Sequence, residues 1–334
     1  GADAVYMGLG NFNARRGAKN FTVEEFEKAV RYCRVRGCKV YVTLNTLMGD
    51  REMEDAVKTA RYVSDAGASA ILVQDLGLLS VLKQAVPDIP LHASTQMSIH
   101  NLEGVKKAAE MGLTRAVLAR ELSLEQIKYI SQNAPIETEI FVHGALCFCH
   151  SGQCYMSSVI GRRSGNRGMC AQPCRMEYTF RGQRGAWLSP RDVCTLNDLP
   201  AFRDAGVAAL KLEGRLKRPE YVSVVTDCYR RAADLPDGTQ PPEQDRKSLL
   251  QIFNRGGFMR GYAMGCRDAA VIWPERADHD GVPLGLRNVA MQTLGFVTFF
   301  GQAGGEFVRH EFGIAEDHHA MIDVGVQQIE QVID

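Results

Sequence analysis

Five cysteines fall within 28 residues, in the stretches HGALCFCHSGQCYMSS and GNRGMCAQPCRMEY. Four of them give the spacing Cys147-x6-Cys154-x15-Cys170-x3-Cys174. Thiolates carried on glycine-rich, irregular segments can approach a common point from several directions, which suits a soft metal: tetrahedral zinc or an iron–sulfur cluster. Structural zinc sites usually pair two short C-x2-4-C knuckles. Only one short spacing exists here, which favours the cluster. Cys149 lies two residues after Cys147; on the expectation of an extended segment it points the other way and is left out of the ligand set. A nucleophilic thiol at Cys147 or Cys149, served by His143 or His150, is the competing chemistry. Cys33, Cys38, Cys194, Cys228 and Cys266 lie outside the crowd and read as small buried hydrophobes.

Other polar residues sit where they could meet a substrate. Arg162, Arg163, Arg167 and Arg175 surround the cysteines and could hold phosphate or carboxylate, or could be ordinary solvated arginines. In KLEGR, Lys211, Glu213 and Arg215 share one face if that strand stays extended, and three charges aimed into one space need partners or a function. His92, Ser94 and Gln96 alternate in the same way. Candidate catalytic groups are therefore His143, Lys211, Glu213 and Arg215, and candidate substrate-binding groups are Asn45, His92, Gln96, Arg162 and Arg167.

Something must bring these dispersed residues together. Over the first 215 residues the chain repeats one unit, a short apolar run, a turn, and an amphipathic stretch ending on glycine. Strand runs are expected at 4–8, 40–45, 70–74, 91–94, 116–119, 139–143 and 209–213. Phe26, Ala29, Val30 and Cys33, and likewise Leu124, Ile127 and Ile130, recur at helical spacing, so helices cover the strands. Nearly every strand run ends in a polar residue, which fits a closed parallel barrel better than an open sheet, where such residues gather at one switch point. The expected fold is an α/β, parallel (β/α) TIM-type barrel lacking its first strand, because GADAVYMG opens abruptly on a strand, with a small C-terminal β-containing region.

The barrel is expected over 1–234 with the cysteine insertion at 144–180. LPDGTQPPEQ marks a linker or surface loop at 235–246, and a partly β region follows at 247–334, with no placeable element after 285. With 39 basic and 39 acidic residues the chain is neutral, so any attraction to an anion must be local. No run approaches the roughly 20 apolar residues of a membrane span, and the start shows no charged-then-apolar leader. A cytoplasmic location is expected.

The segments GADAVYMG, YVTLNTLM, ILVQDLG, LHASTQ, VLAREL, EIFVHGALCFCHSGQCYMSS, NRGMCAQPCR and KLEGRLKRPEYV occur in the order found in the collagenase-like peptidase family, peptidase family U32, which the chain resembles from Gly1 to about Gly285. LHASTQ and the CAQPCR pair look closest to its ribosomal RNA 5-hydroxycytidine synthase branch. The resemblance implies a four-iron four-sulfur cluster on Cys147, Cys154, Cys170 and Cys174, oxygen-independent hydroxylation of a pyrimidine in rRNA or tRNA, and prephenate as cosubstrate or oxygen source. The family name implies the alternative, hydrolysis of peptides, although the sequence carries no serine, metallo or aspartic protease motif. The expected partner is RNA, with a peptide as the alternative substrate.

Overall fold

The computed structural model describes residues 1–14, 16, 20–214 and 217–274, together with the backbone of 296–300. Strand and helix alternate through β1 (Ala4–Met7), α1 (Val23–Arg34), β2 (Lys39–Leu44), α2 (Asp50–Asp65), β3 (Ala70–Val73), α3 (Leu76–Ala85), β4 (Leu91–Ala93), α4 (Leu102–Glu110), β5 (Arg115–Val117), α5 (Leu124–Asn133) and β6 (Glu137–Gly144). The helices start where side chains can satisfy their first amides. Thr22 and Glu25 form a capping box on α1, Ser123 and Gln126 form one on α5, and the Asp75 carboxylate accepts from the Leu78 amide at the head of α3.

After β6 an insertion carries α6 (Met156–Gly161) and the hairpin β7 (Tyr178–Phe180) and β8 (Gln183–Gly185). The chain returns through β9 (Asp192–Cys194), α7 (Leu199–Asp204), β10 (Ala209–Leu212) and α8 (Pro219–Ala233). It then adds α9 (Glu243–Ile252), β11 (Phe258–Met259) and β12 (Phe296–Phe300).

Strands β1 to β6 pair parallel in sequence order, and β10 pairs parallel with β6. All seven expected strands are present. β12 lies antiparallel between β1 and β10, so the ring closes at eight strands and neither strand is left with an open edge. The expectation of a barrel short of one strand is thus met at that place by a strand from the other end of the chain.

Two cores result. Helices bury Phe26, Val30, Val63, Leu78, Leu82, Ile130 and Phe202 against the outer faces of the strands. Inside the ring, Tyr6, Tyr41, Leu72, Val117 and Phe141 form a smaller cluster shared with buried charges.

The region beyond the barrel packs onto it. α9 begins at Glu243, within the stretch expected as a linker, so the loop is shorter than 235–246. β11 pairs parallel with β9. Ion pairs Arg231–Asp245 (2.7 Å) and Arg255–Asp192 (2.5 Å) tie the same region to α8 and β9, and Arg260 donates from Nε to Asp198 Oδ2 (3.1 Å). The described part of 247–334 is therefore an extension of the barrel. Most of the partly β region expected after 274 lies outside the described residues.

Candidate active site

The C-terminal ends of the strands surround a cavity of about 120 Å³. Asn45, Ser94 and Gln96 line its rim, Tyr6, Leu72, Phe141 and Lys211 its floor, and Glu213 its side; Cys147, Cys154 and Cys170 face it from the insertion. This is the end of a parallel barrel where catalytic groups collect.

The rim is a network of amides. Asn45 Nδ2 donates to Ser94 Oγ (2.9 Å), Asn45 Oδ1 accepts from the Ala14 amide (3.0 Å), and Gln96 Nε2 donates to the Asn45 carbonyl (3.0 Å). The insertion is pressed onto that rim at Gly152, whose φ of +80° favours glycine and whose Cβ, if it had one, would lie 2.7 Å from the Gln96 carbonyl oxygen. Ser98 Oγ donates to the Ser151 carbonyl (2.8 Å), and Asn166 Nδ2 to the Gly152 carbonyl (3.1 Å), completing the clamp.

The floor is ionic. Glu139, 1% exposed, accepts from Lys211 Nζ at 2.6 Å and from Arg115 Nη1 at 3.3 Å. Lys211 Nζ also sits 3.9 Å above the Tyr6 ring. Burial pushes the Glu139 carboxyl up, but Lys211 and Arg115 outweigh it and hold the group below its ordinary range. Arg115 also grips Glu137 through Nε at 2.8 Å.

The thiols are met by donors. Arg120 Nη2 donates to Cys147 Sγ (3.3 Å), and the Gln172 amide and Ser157 hydroxyl donate to Cys170 Sγ (3.3 and 3.9 Å). Burial pushes the Cys174 thiol up, Arg175 opposes this, and Cys147 and Cys170 are close enough to add to it. Burial also raises Cys149, with the neighbouring Cys154 and Cys147 thiols contributing. Cys149 therefore stays beside the other thiols: the residues around it bend instead of extending, so the alternation that set it apart does not apply.

Among the described residues, no three His, Cys, Asp or Glu side chains are arranged to hold a single metal ion. A cluster asks for something different, since each thiolate binds its own iron atom. Several thiols on one loop, supplied with N–H donors to sulfur, fit that donor chemistry.

The family model for peptidase family U32 matches residues 1–272. The chain belongs to this family. U32 relatives carry different names. A 23S rRNA 5-hydroxycytidine C2501 synthase of Escherichia coli is 42% identical over 241 residues, covering 70% of this chain and 36% of its own length. A tRNA hydroxylation protein P1 of Bacillus subtilis is 34% identical, covering 70% and 58%. A collagenase of Porphyromonas gingivalis is 35% identical over 292 residues, covering 80% and 70%. The chain thus spans little more than a third of the first of these proteins and under two thirds of the second.

Within this U32 chain the candidate residues separate. Asn45, Gln96, Lys211, Glu213, Cys147, Cys154 and Cys170 meet at the mouth cavity, with Cys174 behind them. His92 does not join them: it faces into the ring one layer down, edge-on to Tyr41 at 5.1 Å, beside a cavity at the opposite end of the barrel. Burial, reinforced by Arg115, lowers its pKa to about 3.

His143 also leaves the mouth. Between Phe141 and His143 the pairing with β10 shifts by one residue, and an extra residue in a strand reverses its alternation. The imidazole points outward among Tyr221, Tyr229 and Phe258, where burial lowers it to about 3. Arg167 is engaged with Glu52 and with the Leu47 carbonyl, so it fastens the insertion to the start of α2. Arg162 stands exposed in a left-handed turn away from the cavity, and Arg215 lies outside the described residues.

Sequence reasoning assigned no role to Arg120, which reaches from the end of β5 to Cys147, to Ser151 Oγ and to the Ala145 carbonyl at 3.0 Å. Its position just after the strand run expected at 116–119 was the available signal. Among the described residues, no helix is long and apolar enough to cross a membrane.

Proposed function

We propose that the chain is the barrel part of a cytoplasmic enzyme that hydroxylates a pyrimidine in rRNA or tRNA without molecular oxygen, using a four-iron four-sulfur cluster on Cys147, Cys154, Cys170 and Cys174. The observation that carries this reading is that cysteines from the insertion and polar groups from four strand ends (β2, β4, β5 and β10) share one small cavity. Its supports are the names of the relatives and the local charge. Between 145 and 191 there are seven arginines against the single carboxylate of Glu177, in a chain that is neutral overall. Exposed beside them stand Tyr155 and Phe180, the mixture of cation and aromatic face that single-stranded RNA uses.

When bound, the cluster would supply a Lewis-acidic, redox-active iron at the mouth for the oxygen donor, for which the resemblance offers prephenate. The chain's own residues do the rest. Asn45, Ser94 and Gln96 offer a fixed amide and hydroxyl rim against which the Watson–Crick edge of an everted base can be read. Lys211, already desolvated and held by Glu139, places positive charge at the floor, where an anionic donor would end. Arg120 holds the Cys147 thiolate and the Ser151 turn in place. Tyr6, Leu72 and Phe141 surround Lys211 on the floor and keep water from it.

The test is nucleoside mass spectrometry on RNA from a host lacking its own pyrimidine hydroxylases, grown without oxygen and expressing this chain or its Cys154→Ala variant. Hydroxylated pyrimidine with the parent and none with the variant is expected, alongside brown protein holding iron and sulfide only in the parent. Equal hydroxylation by both would end the cluster reading. The collagenase-named relative favours peptide hydrolysis as a second reading, in which His150 and a mouth thiol would act. It predicts gelatin cleavage by the purified protein, blocked by thiol alkylation.

A further inference from the structure

Four helices of this chain end in the same way. At each, a glycine with positive φ (Gly37, Gly67, Gly112, Gly206) turns the chain, and the amide after it donates back to the carbonyl five residues earlier. The bonds are Cys38 to Cys33 (2.9 Å), Ala68 to Val63 (3.0 Å), Leu113 to Ala108 (3.0 Å) and Val207 to Phe202 (3.2 Å). This is the Schellman arrangement, which brings the two bonded residues' side chains into contact, ordinarily as an apolar pair. Val63 with Ala68, Ala108 with Leu113, and Phe202 with Val207 follow that rule. After α1 the pair is Cys33 and Cys38.

Reach is satisfied. With standard backbone dimensions, a 2.9 Å bond from the Cys38 amide to the Cys33 carbonyl limits the Cα separation to about 6.8 Å, within the span a disulfide bridges. Both cysteines are free thiols; Cys33 is buried and Cys38 half-buried, so a reagent meets Cys38 first. The thiols also feel each other. The neighbouring Cys33 thiol draws Cys38 below the ordinary thiol range, and Cys38, with burial, pushes Cys33 up, while the Cys38 thiol itself points to the Lys39 carbonyl at 3.8 Å. The place is the N-terminal face of the barrel, where α1 hands over to β2, at the opposite end from the cysteines of the mouth.

We propose that Cys33 and Cys38 are an oxidisable dithiol, a modification site that closes to a disulfide on exchange with a small-molecule disulfide. The Cys38 thiolate attacks one sulfur of oxidised glutathione, forming a protein–glutathione bond and releasing one glutathione thiolate. Cys33, giving its proton to solvent, then attacks Cys38 Sγ and expels the second glutathione. Two protein thiols are oxidised and one glutathione disulfide is reduced to two thiols.

Trypsin cuts after Arg31, Arg34, Arg36 and Lys39, so the two cysteines leave in separate peptides, 32–34 and 37–39, distinct from every peptide of the mouth. The native protein is incubated with oxidised glutathione, quenched in acid, alkylated with iodoacetamide and digested. The expected product is a disulfide-linked pair of these two peptides, with no stable glutathione on 37–39. Cys33→Ser removes the second thiol, so glutathione should then accumulate on Cys38. Both peptides alkylated in the parent protein, or glutathione persisting on Cys38 while Cys33 is alkylated, would overturn the proposal and leave the pair as a packing contact only.

Discussion

The ring interior and the cysteine insertion both hold many charges, and they treat them in opposite ways. Inside the ring, Arg115, Glu139 and Lys211 are all at most 3% exposed and answer one another within 3.3 Å. In the insertion seven arginines face one carboxylate, and Tyr155, Val159, Ile160 and Phe180 lie open to solvent. A charge that is buried must find its partner within the chain, whereas one left at the surface can be completed by something else. The interior charges therefore hold one another in place, with Lys211 turned to the floor of the mouth cavity, whereas the insertion carries charge that its own carboxylates do not match.

Glu139→Ala is the sharpest way to break that contrast. It leaves Lys211 without its carboxylate and takes one of two carboxylates from Arg115, and should cost about 3–5 kcal/mol in urea unfolding. A cost under about 1 kcal/mol would mean that the interior charges are not mutually dependent.

Acid should act on the same side of the comparison. His92 and His143 are neutral when folded, with pKa values near 3, and each takes a proton on unfolding near its ordinary value. Between about pH 6.5 and 3 the unfolded chain binds more protons, so stability falls as pH drops, by about 1.4 kcal/mol per pH unit for each histidine. Glu139, held below its ordinary range, adds a loss at the acid end: its stabilisation is present above the unfolded carboxyl pKa and vanishes as pH falls through the folded one. His143→Phe should shallow the slope by one proton's worth in urea titrations repeated across this range. An unchanged slope would contradict the buried, neutral state.

Gly152→Ala tests the joint between the two regions. A Cβ pressed against the Gln96 carbonyl, on a backbone with φ of +80°, should cost about 1–3 kcal/mol and loosen the insertion, read as faster amide exchange from 147 to 166. Exchange unchanged there would show that the clamp rests elsewhere.

The smallest effect on stability and the most specific on function is expected for Arg162→Glu with Arg163→Glu. Unfolding should move by less than about 0.5 kcal/mol per site. The salt dependence of RNA binding should weaken by roughly 0.7 in log–log slope for each single-strand phosphate that the variant no longer neutralises. A slope identical to the parent's would remove the insertion from the RNA surface.

The strands were legible because parallel strands covered by helices are continuous apolar runs such as AILV and KVYVTL. β9 escaped because it is three residues long and carries Asp192, and α9 escaped because the Pro- and Gly-rich loop before it dominates the local composition. Of the mouth, the cysteines were legible from their crowding and spacing, and Asn45, Gln96, Lys211 and Glu213 from their places at or beside strand ends. His92 and His143 were not. Alternation tells the face of a strand but not the depth along it, which misplaced His92, and it fails across a register shift, which misplaced His143. Arg162 and Arg167 were read from charge density, and charge density does not say which arginine already has a carboxylate, as Arg167 does in Glu52.

The exposed loop after α8 has a practical consequence. Because β11 pairs with β9, and Arg231, Arg255 and Arg260 reach across to Asp245, Asp192 and Asp198, the two stretches of chain on either side of Pro236–Gln240 are held together without the peptide bonds between them. Cleavage there should leave a nicked protein that migrates as one particle and separates only on denaturation. The barrel could accordingly be assembled from two co-expressed fragments divided at that loop.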